Sequence, residues 1–100
     1  MNTIEIIKKQ INNNDIIIYM KGTPDEPMCG YSTQIVQIFK NLNINYKFID
    51  VLKHPNIRKE LPVYSNWPTF PQIYVKGKLI GGCDIISELY ENNKLTDLLK

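Results

Sequence analysis

Cys29 and Ser32, three residues apart in Met28-Cys29-Gly30-Tyr31-Ser32, are the side chains whose types and spacing point most directly to chemistry. The cysteine lies between an irregular segment holding Pro24 and Pro27 and a run, residues 32–42, with helical periodicity, so its sulfur is expected near a helix N-terminus. Backbone N–H groups without intrahelical partners and the positive end of the helix macrodipole stabilise a thiolate there. A thiolate attacks disulfides and ligates metals. Ser32 stands where a Cys-x-x-Cys pair has its second thiol, so Cys29 depends on an external thiol to resolve any mixed disulfide. Two prolines, Gly30 and Ser32 are poor core neighbours, which sets Cys29 apart from an ordinary buried cysteine.

The elements that must position this sulfur can be read in chain order. Thr3 is a candidate N-cap, and Ile4, Ile7 and Ile11 mark one face of a helix over 4–12. Ile16-Ile17-Ile18-Tyr19-Met20 is a continuous β-branched and aromatic run, expected as a strand buried on both faces that delivers the chain to the cysteine loop. After the cysteine, Ile35, Val36, Phe39 and Leu42 line a second helix, and residues 46–50 alternate like a strand with one solvated face. The strand–helix–strand succession favours a parallel pair with a right-handed crossover. Pro55 opens a short helix that Pro62 is expected to stop after Leu61. Residues 72–75 and 79–80 flank Lys76-Gly77-Lys78 as a hairpin, and Asp84 is expected to cap a last helix carrying Ile85, Ile86, Leu89 and, after Asn92-Asn93, Leu95, Leu98 and Leu99. The order is α-β-α-β-α-β-β-α, an α/β domain with no internal repeat.

In an open α/β sheet, ligands bind at the carboxyl ends of parallel strands, where the first strand leaves Cys29. Two other irregular segments can converge there. Pro71, preceded by Thr69-Phe70, is a candidate cis peptide that turns backbone groups outward for a small peptide to pair with. Gly81-Gly82 allows close backbone approach, and the N–H groups of Cys83 and Asp84 at a helix start suit a carboxylate. Lys21 and Arg58 add cations. The composite is a site for a short, anionic, peptide-like ligand beside a thiolate. Trp67 reads as a packing anchor for its loop and His54 as a surface residue; for Cys83, packing and redox roles both remain open. A Cys29–Cys83 disulfide requires Cα atoms within about 7 Å and is expected only after strain or oxidation.

A length of 100 residues with 43% hydrophobic content fits one compact domain, 1–100. A formal net charge of +2 without a long basic run gives no reason to expect nucleic acid or an anionic membrane as partner. Two cysteines are too far apart for a local metal knuckle and too few for a disulfide framework, so an intracellular reducing compartment is expected. No stretch approaches the roughly 20 apolar residues of a membrane span, and the first residues lack a signal pattern. The chain is expected to be soluble: cytoplasmic as it stands, or mitochondrial or in another organelle if a transit peptide was removed.

Lys21-Gly22-Thr23-Pro24, Cys29-Gly30-Tyr31-Ser32, Trp67-Pro68-Thr69-Phe70-Pro71-Gln72 and Gly81-Gly82-Cys83-Asp84 resemble, in that order, the motifs of the monothiol (CGFS-type) glutaredoxins, a branch of the thioredoxin fold. Four separate motifs are far more specific than a lone Cys-Gly-x-Ser, and together they cover nearly the whole chain. The resemblance implies a four-stranded mixed sheet flanked by helices. It implies that glutathione lies along Thr69, Phe70 and Pro71, with Lys21, Arg58, Cys83 and Asp84 holding its two ends and Gly30, Tyr31 and Gly82 completing the surround. It also implies that Cys29 is both the reactive thiol and the ligand of a [2Fe-2S] cluster shared between two protomers, each half completed by a glutathione thiol. The loaded form would be a homodimer and the apo form a monomer, with iron–sulfur acceptor proteins downstream; whether a BolA-like protein replaces the second protomer stays open. Two departures stand out: Tyr31 where the family usually has Phe, and Pro62 where it commonly has a Lys four residues after the Arg58 position.

Two functions follow. One is carriage of a glutathione-ligated [2Fe-2S] cluster for cluster transfer and iron homeostasis, which suits thiolate ligation. The other is a glutathione-dependent oxidoreductase acting on glutathionylated proteins through Cys29, at most a weak enzyme because no second thiol follows. The insert at 23–27 favours the carrier, since in the family it accompanies cluster binding and poor oxidoreductase activity.

Overall fold

A computed structural model describes residues 1–100. Five helices and four strands follow one another as α1 (Thr3–Asn12), β1 (Ile16–Met20), α2 (Gly30–Asn41), β2 (Lys47–Asp50), α3 (Pro55–Ser65), β3 (Gln72–Val75), β4 (Lys78–Gly81), α4 (Cys83–Glu91) and α5 (Leu95–Leu99). The strands form one mixed sheet in the order β2-β1-β3-β4, with β1 and β2 parallel and the other two pairings antiparallel. No helix is long and apolar enough to cross a membrane.

Successive residues of a strand point to opposite faces, and β1 shows the consequence. Ile16, Ile18 and Met20 join a cluster with Ile35 and Phe39 of α2, Ile86 of α4 and Leu95 and Leu99 of α5. Ile17 and Tyr19 join the opposite cluster, with Ile7 and Ile11 of α1 and Ile57 and Leu61 of α3. The uninterrupted apolar run in the sequence is therefore a central strand covered on both sides, as expected.

Several local expectations are corrected. The α1 cap is Asn2, whose side chain accepts the Glu5 N–H, and Thr3 is already helical. Strand β2 begins at Lys47, not Tyr46, and its second face is only partly solvated: Lys47 is exposed, but Ile49 packs on one cluster while Phe48 packs on the other. Pro62 does not stop α3, which runs on to Ser65 and ends at Asn66 in the left-handed conformation. A proline removes one N–H and crowds one carbonyl, a local penalty that the buried Ile57 and Leu61 evidently outweigh here. The hairpin turn is the two-residue Lys76-Gly77, both with positive φ, and Lys78 already belongs to β4. Asp84 lies within the first turn of α4 and the cap is Gly82. The last helix is two helices, separated where Asn93 takes a φ of 58°.

Candidate functional site

The insert between β1 and α2 is a tight, internally bonded loop. Thr23 and Glu26 exchange backbone hydrogen bonds at 3.1 Å each, and the Met28 N–H returns to the Lys21 carbonyl at 2.9 Å. Gly22 sits at φ +90° with its N–H donated to the buried Asp50 carboxylate at 2.9 Å. This geometry delivers Cys29 as the N-cap of α2, whose first helical residue, Gly30, lies two residues before the expected start.

As N-cap, the sulfur does what a Ser or Asp oxygen does at that position. Its Sγ accepts the Ser32 N–H at 3.4 Å, and the Ser32 hydroxyl lies 3.3 Å away. Burial pushes the Cys29 thiol up, but hydrogen bonds from the Ser32 hydroxyl and from the Ser32 and Tyr31 N–H groups, together with the Lys21 charge, outweigh it and lower its pKa. Cys83 goes the other way. Burial, chiefly, raises its pKa, and its Sγ donates to Gln34 Oε1 at 3.1 Å. Both cysteines are free. The surroundings thus favour the thiolate form at Cys29 and the neutral thiol at Cys83.

Beside Cys29 lies a groove of about 370 Å³ lined by Tyr31, Trp67, Thr69, Phe70, Pro71, Gly82, Cys83, Asp84 and Ile85. The Phe70–Pro71 peptide is cis. The Phe70 N–H and C=O make no hydrogen bond within the chain. Cys83 and Asp84 open α4, where backbone N–H groups have no intrahelical acceptor. Gly82 lets the two walls approach closely, since a Cβ there would lie 3.1 Å from the Pro71 carbonyl oxygen and 3.3 Å from Trp67 Nε1. That indole nitrogen is the one buried side-chain polar atom lacking a partner.

Seven of the sequence candidates thus line one groove: Tyr31, Thr69, Phe70, Pro71, Gly82, Cys83 and Asp84. Cys29 precedes the groove's Tyr31 by two residues and is coupled by charge to Lys21, and neither lines the groove. Gly30 instead borders a separate cleft between α2 and α4, and Arg58 is exposed on the first turns of α3 without lining the groove. Trp67, read from sequence as packing, and Ile85 line it as well. Two roles appear only in the structure: Ser32 as hydrogen-bond partner of the sulfur and Asp50 as anchor of the insert. A serine at a helix start was a usable signal for the first, whereas nothing in the periodicity of β2 marked the second.

The donor set has a consequence for metals. No group of three or more His, Cys, Asp or Glu side chains is placed to hold an ion. Each chain offers a single accessible thiol, Cys29, so a cluster needing four sulfur ligands would fit this site only when shared and completed by external thiols.

A glutaredoxin family profile matches residues 16–80. Glutaredoxin 4 of Pasteurella multocida (strain Pm70) is 50% identical over 99 residues, covering 99% of this chain and 91% of that protein. Glutaredoxin 4 of Escherichia coli (strain K12) is 50% identical over 98 residues, covering 98% and 85%. Among solved structures, a monomeric truncated mutant of Trypanosoma brucei 1-C-Grx1 is 33% identical with a TM-score of 0.87, over 99% of this chain and 90% of that one. A buckwheat glutaredoxin–glutathione complex is 26% identical with a TM-score of 0.83, over 95% and 84%. The profile runs from β1 into β4 around the activated Cys29, and Ser32 stands where a dithiol site has its second cysteine: the chain belongs to the glutaredoxin family, on its monothiol branch.

Proposed function

We propose that residues 1–100 act as one glutaredoxin domain that binds glutathione in the groove and carries a [2Fe-2S] cluster as cargo between two copies of the chain. The observation that carries this reading is a lone activated thiolate with a serine, not a thiol, three residues on. In this reading the free Phe70 N–H and C=O pair with the cysteinyl backbone of glutathione, and the first-turn N–H groups of Cys83 and Asp84 take its γ-glutamyl carboxylate. Lys21 and Arg58 serve the other end, Arg58 from outside the groove lining. The glutathione-bound buckwheat relative supports the ligand class. Two Cys29 thiolates and two glutathione thiols would then supply the four sulfurs, and loss of the glutathione ligands gives a route of release to acceptor proteins. Anaerobic reconstitution with iron, sulfide and glutathione tests this. A coloured dimer is expected, lost on omission of glutathione or in Cys29→Ser; a colourless monomer, or unchanged uptake by Cys29→Ser, overturns it.

The lowered pKa of Cys29 favours a second reading, deglutathionylation. The thiolate attacks the glutathione sulfur of a protein mixed disulfide, and the protein thiolate leaves. A second glutathione thiolate then attacks the Cys29–glutathione disulfide, giving glutathione disulfide and free Cys29. Turnover of a glutathione mixed disulfide no faster than uncatalysed exchange rules this activity out.

A further inference from the structure

Gln72 is a fully buried polar side chain, at the start of β3 directly after Pro71. Its Nε2 donates to two carbonyls of the preceding segment, Trp67 at 2.9 Å and Thr69 at 3.3 Å. Its Oε1 accepts the Tyr74 hydroxyl at 2.8 Å. Burying an amide is favourable only if its donors and acceptor are all satisfied, and here they are satisfied by one conformation of residues 67–69. An apolar residue of the same size would fill the space without selecting that conformation.

We propose that Gln72 is a positioning residue for the ligand groove: by drawing the Trp67 and Thr69 carbonyls inward, it leaves the Phe70 N–H and C=O as the peptide groups presented to the ligand. The segment otherwise has little to fix it. Its only backbone hydrogen bond into the fold before β3 is from the Trp67 N–H to the Pro62 carbonyl, at 3.1 Å. The inference rests on the groove being the glutathione site, and it adds a residue that touches neither glutathione nor the reacting sulfur.

The test uses the reduced apo chain and glutathione itself, with affinity read by calorimetry. Gln72→Glu keeps the acceptor for Tyr74 but, ionised, sets a carboxylate against two carbonyl oxygens. Burial and the two carbonyls raise the pKa of that carboxyl, so glutathione binding is expected to be weaker than in the parent chain by about tenfold at pH 9. The gap should close toward pH 6, as the protonated carboxyl again donates. The titratable groups facing this position are Tyr74, with Tyr19 and Tyr64 behind it; burial raises the Tyr74 and Tyr19 phenols, so both stay neutral across that range. Trp67 is the only tryptophan, so its emission reports the segment directly and should follow the same pH curve in Gln72→Glu without ligand. If that variant does not fold, Gln72→Met, uncharged and without donors, should fold and bind weakly at every pH. Parent-like binding by the variants, or a deficit that ignores pH in Gln72→Glu, overturns the proposal. Absence of glutathione binding by the parent chain instead overturns the assignment of the groove, and Trp67 emission then decides the role of Gln72 alone.

Discussion

The Ser32 hydroxyl lies 3.3 Å from Cys29 Sγ while its oxygen accepts the Lys21 N–H at 3.2 Å. The end of β1 thus occupies the oxygen and leaves the proton for the sulfur. Ser32 is fully buried, so this donor is held in place by the fold and not borrowed from water. The residue that removes the resolving thiol also stabilises the thiolate that cannot be resolved internally, which suits a sulfur meant to persist as an anion.

Ser32→Ala should therefore shift the pH midpoint of Cys29 alkylation upward and slow labelling at neutral pH. The backbone N–H groups and Lys21 remain, so the shift should be partial. Iodoacetamide rates measured across pH provide the check; an unmoved midpoint would assign the activation to the backbone and Lys21 alone.

The two thiols should respond to pH with opposite signs. Cys29 has its folded pKa lowered from 9.0, so in the window below that value the unfolded chain binds more protons than the folded one. Its contribution to stability is complete above 9.0 and is lost as pH falls through the folded pKa. For Cys83, raised chiefly by burial, the contribution is present below 9.0 and is lost as pH rises through its folded pKa. Mass spectrometry after brief alkylation at neutral pH should find Cys29 modified first and Cys83 only on adding denaturant. Equal labelling of both in the folded chain contradicts this.

Asp50 closes β2 and holds the insert through one bond, from the Gly22 N–H at 2.9 Å, while the Leu52 N–H at 3.0 Å fixes the same carboxylate oxygen from the turn after β2. Asp50→Ala leaves the Gly22 N–H buried without an acceptor, a loss of about 1–3 kcal/mol, and Asp50→Asn should recover part of it through its carbonyl oxygen. Urea unfolding measures both, and equal stability of the two variants would show that the carbonyl oxygen does not substitute.

Gly22→Ala attacks the same loop from the other side. At φ +90° its Cβ would crowd the Glu26 carbonyl oxygen and the Met28 backbone nitrogen. Backbone strain alone accounts for about 1–3 kcal/mol. A thermal melt indistinguishable from the parent chain would mean that the insert rearranges freely.

What the sequence disclosed follows from how each feature is encoded. The strand β1 was legible because burial on both faces forces a continuous apolar run, and the groove was legible because Pro71 and the Gly81-Gly82 pair are residues with few alternative uses. The helix ends were less so: Asn2 in place of Thr3 and Gly82 in place of Asp84 differ by one or two positions among residues that all cap well. Asp50 and Gln72 were invisible as anchors, because what they hold is 28 residues away in one case and backbone carbonyls in the other. The Pro62 expectation failed because a local rule met a helix already anchored by the buried Ile57 and Leu61 that precede it.

Pro62 makes the last prediction, and it bears on Arg58. A proline in a helix interior is unfavourable by up to about 3 kcal/mol, so Pro62→Ala should raise the melting temperature. Residues four apart share a helix face, so Pro62→Lys would set a second cation one turn from Arg58. If that face helps hold glutathione, Pro62→Lys should tighten binding beyond Pro62→Ala, and the excess should fade at high salt as screening removes it. If the two variants bind equally, the gain comes from the helix alone. Arg58, exposed and outside the groove lining, would then be a surface residue and not a ligand contact.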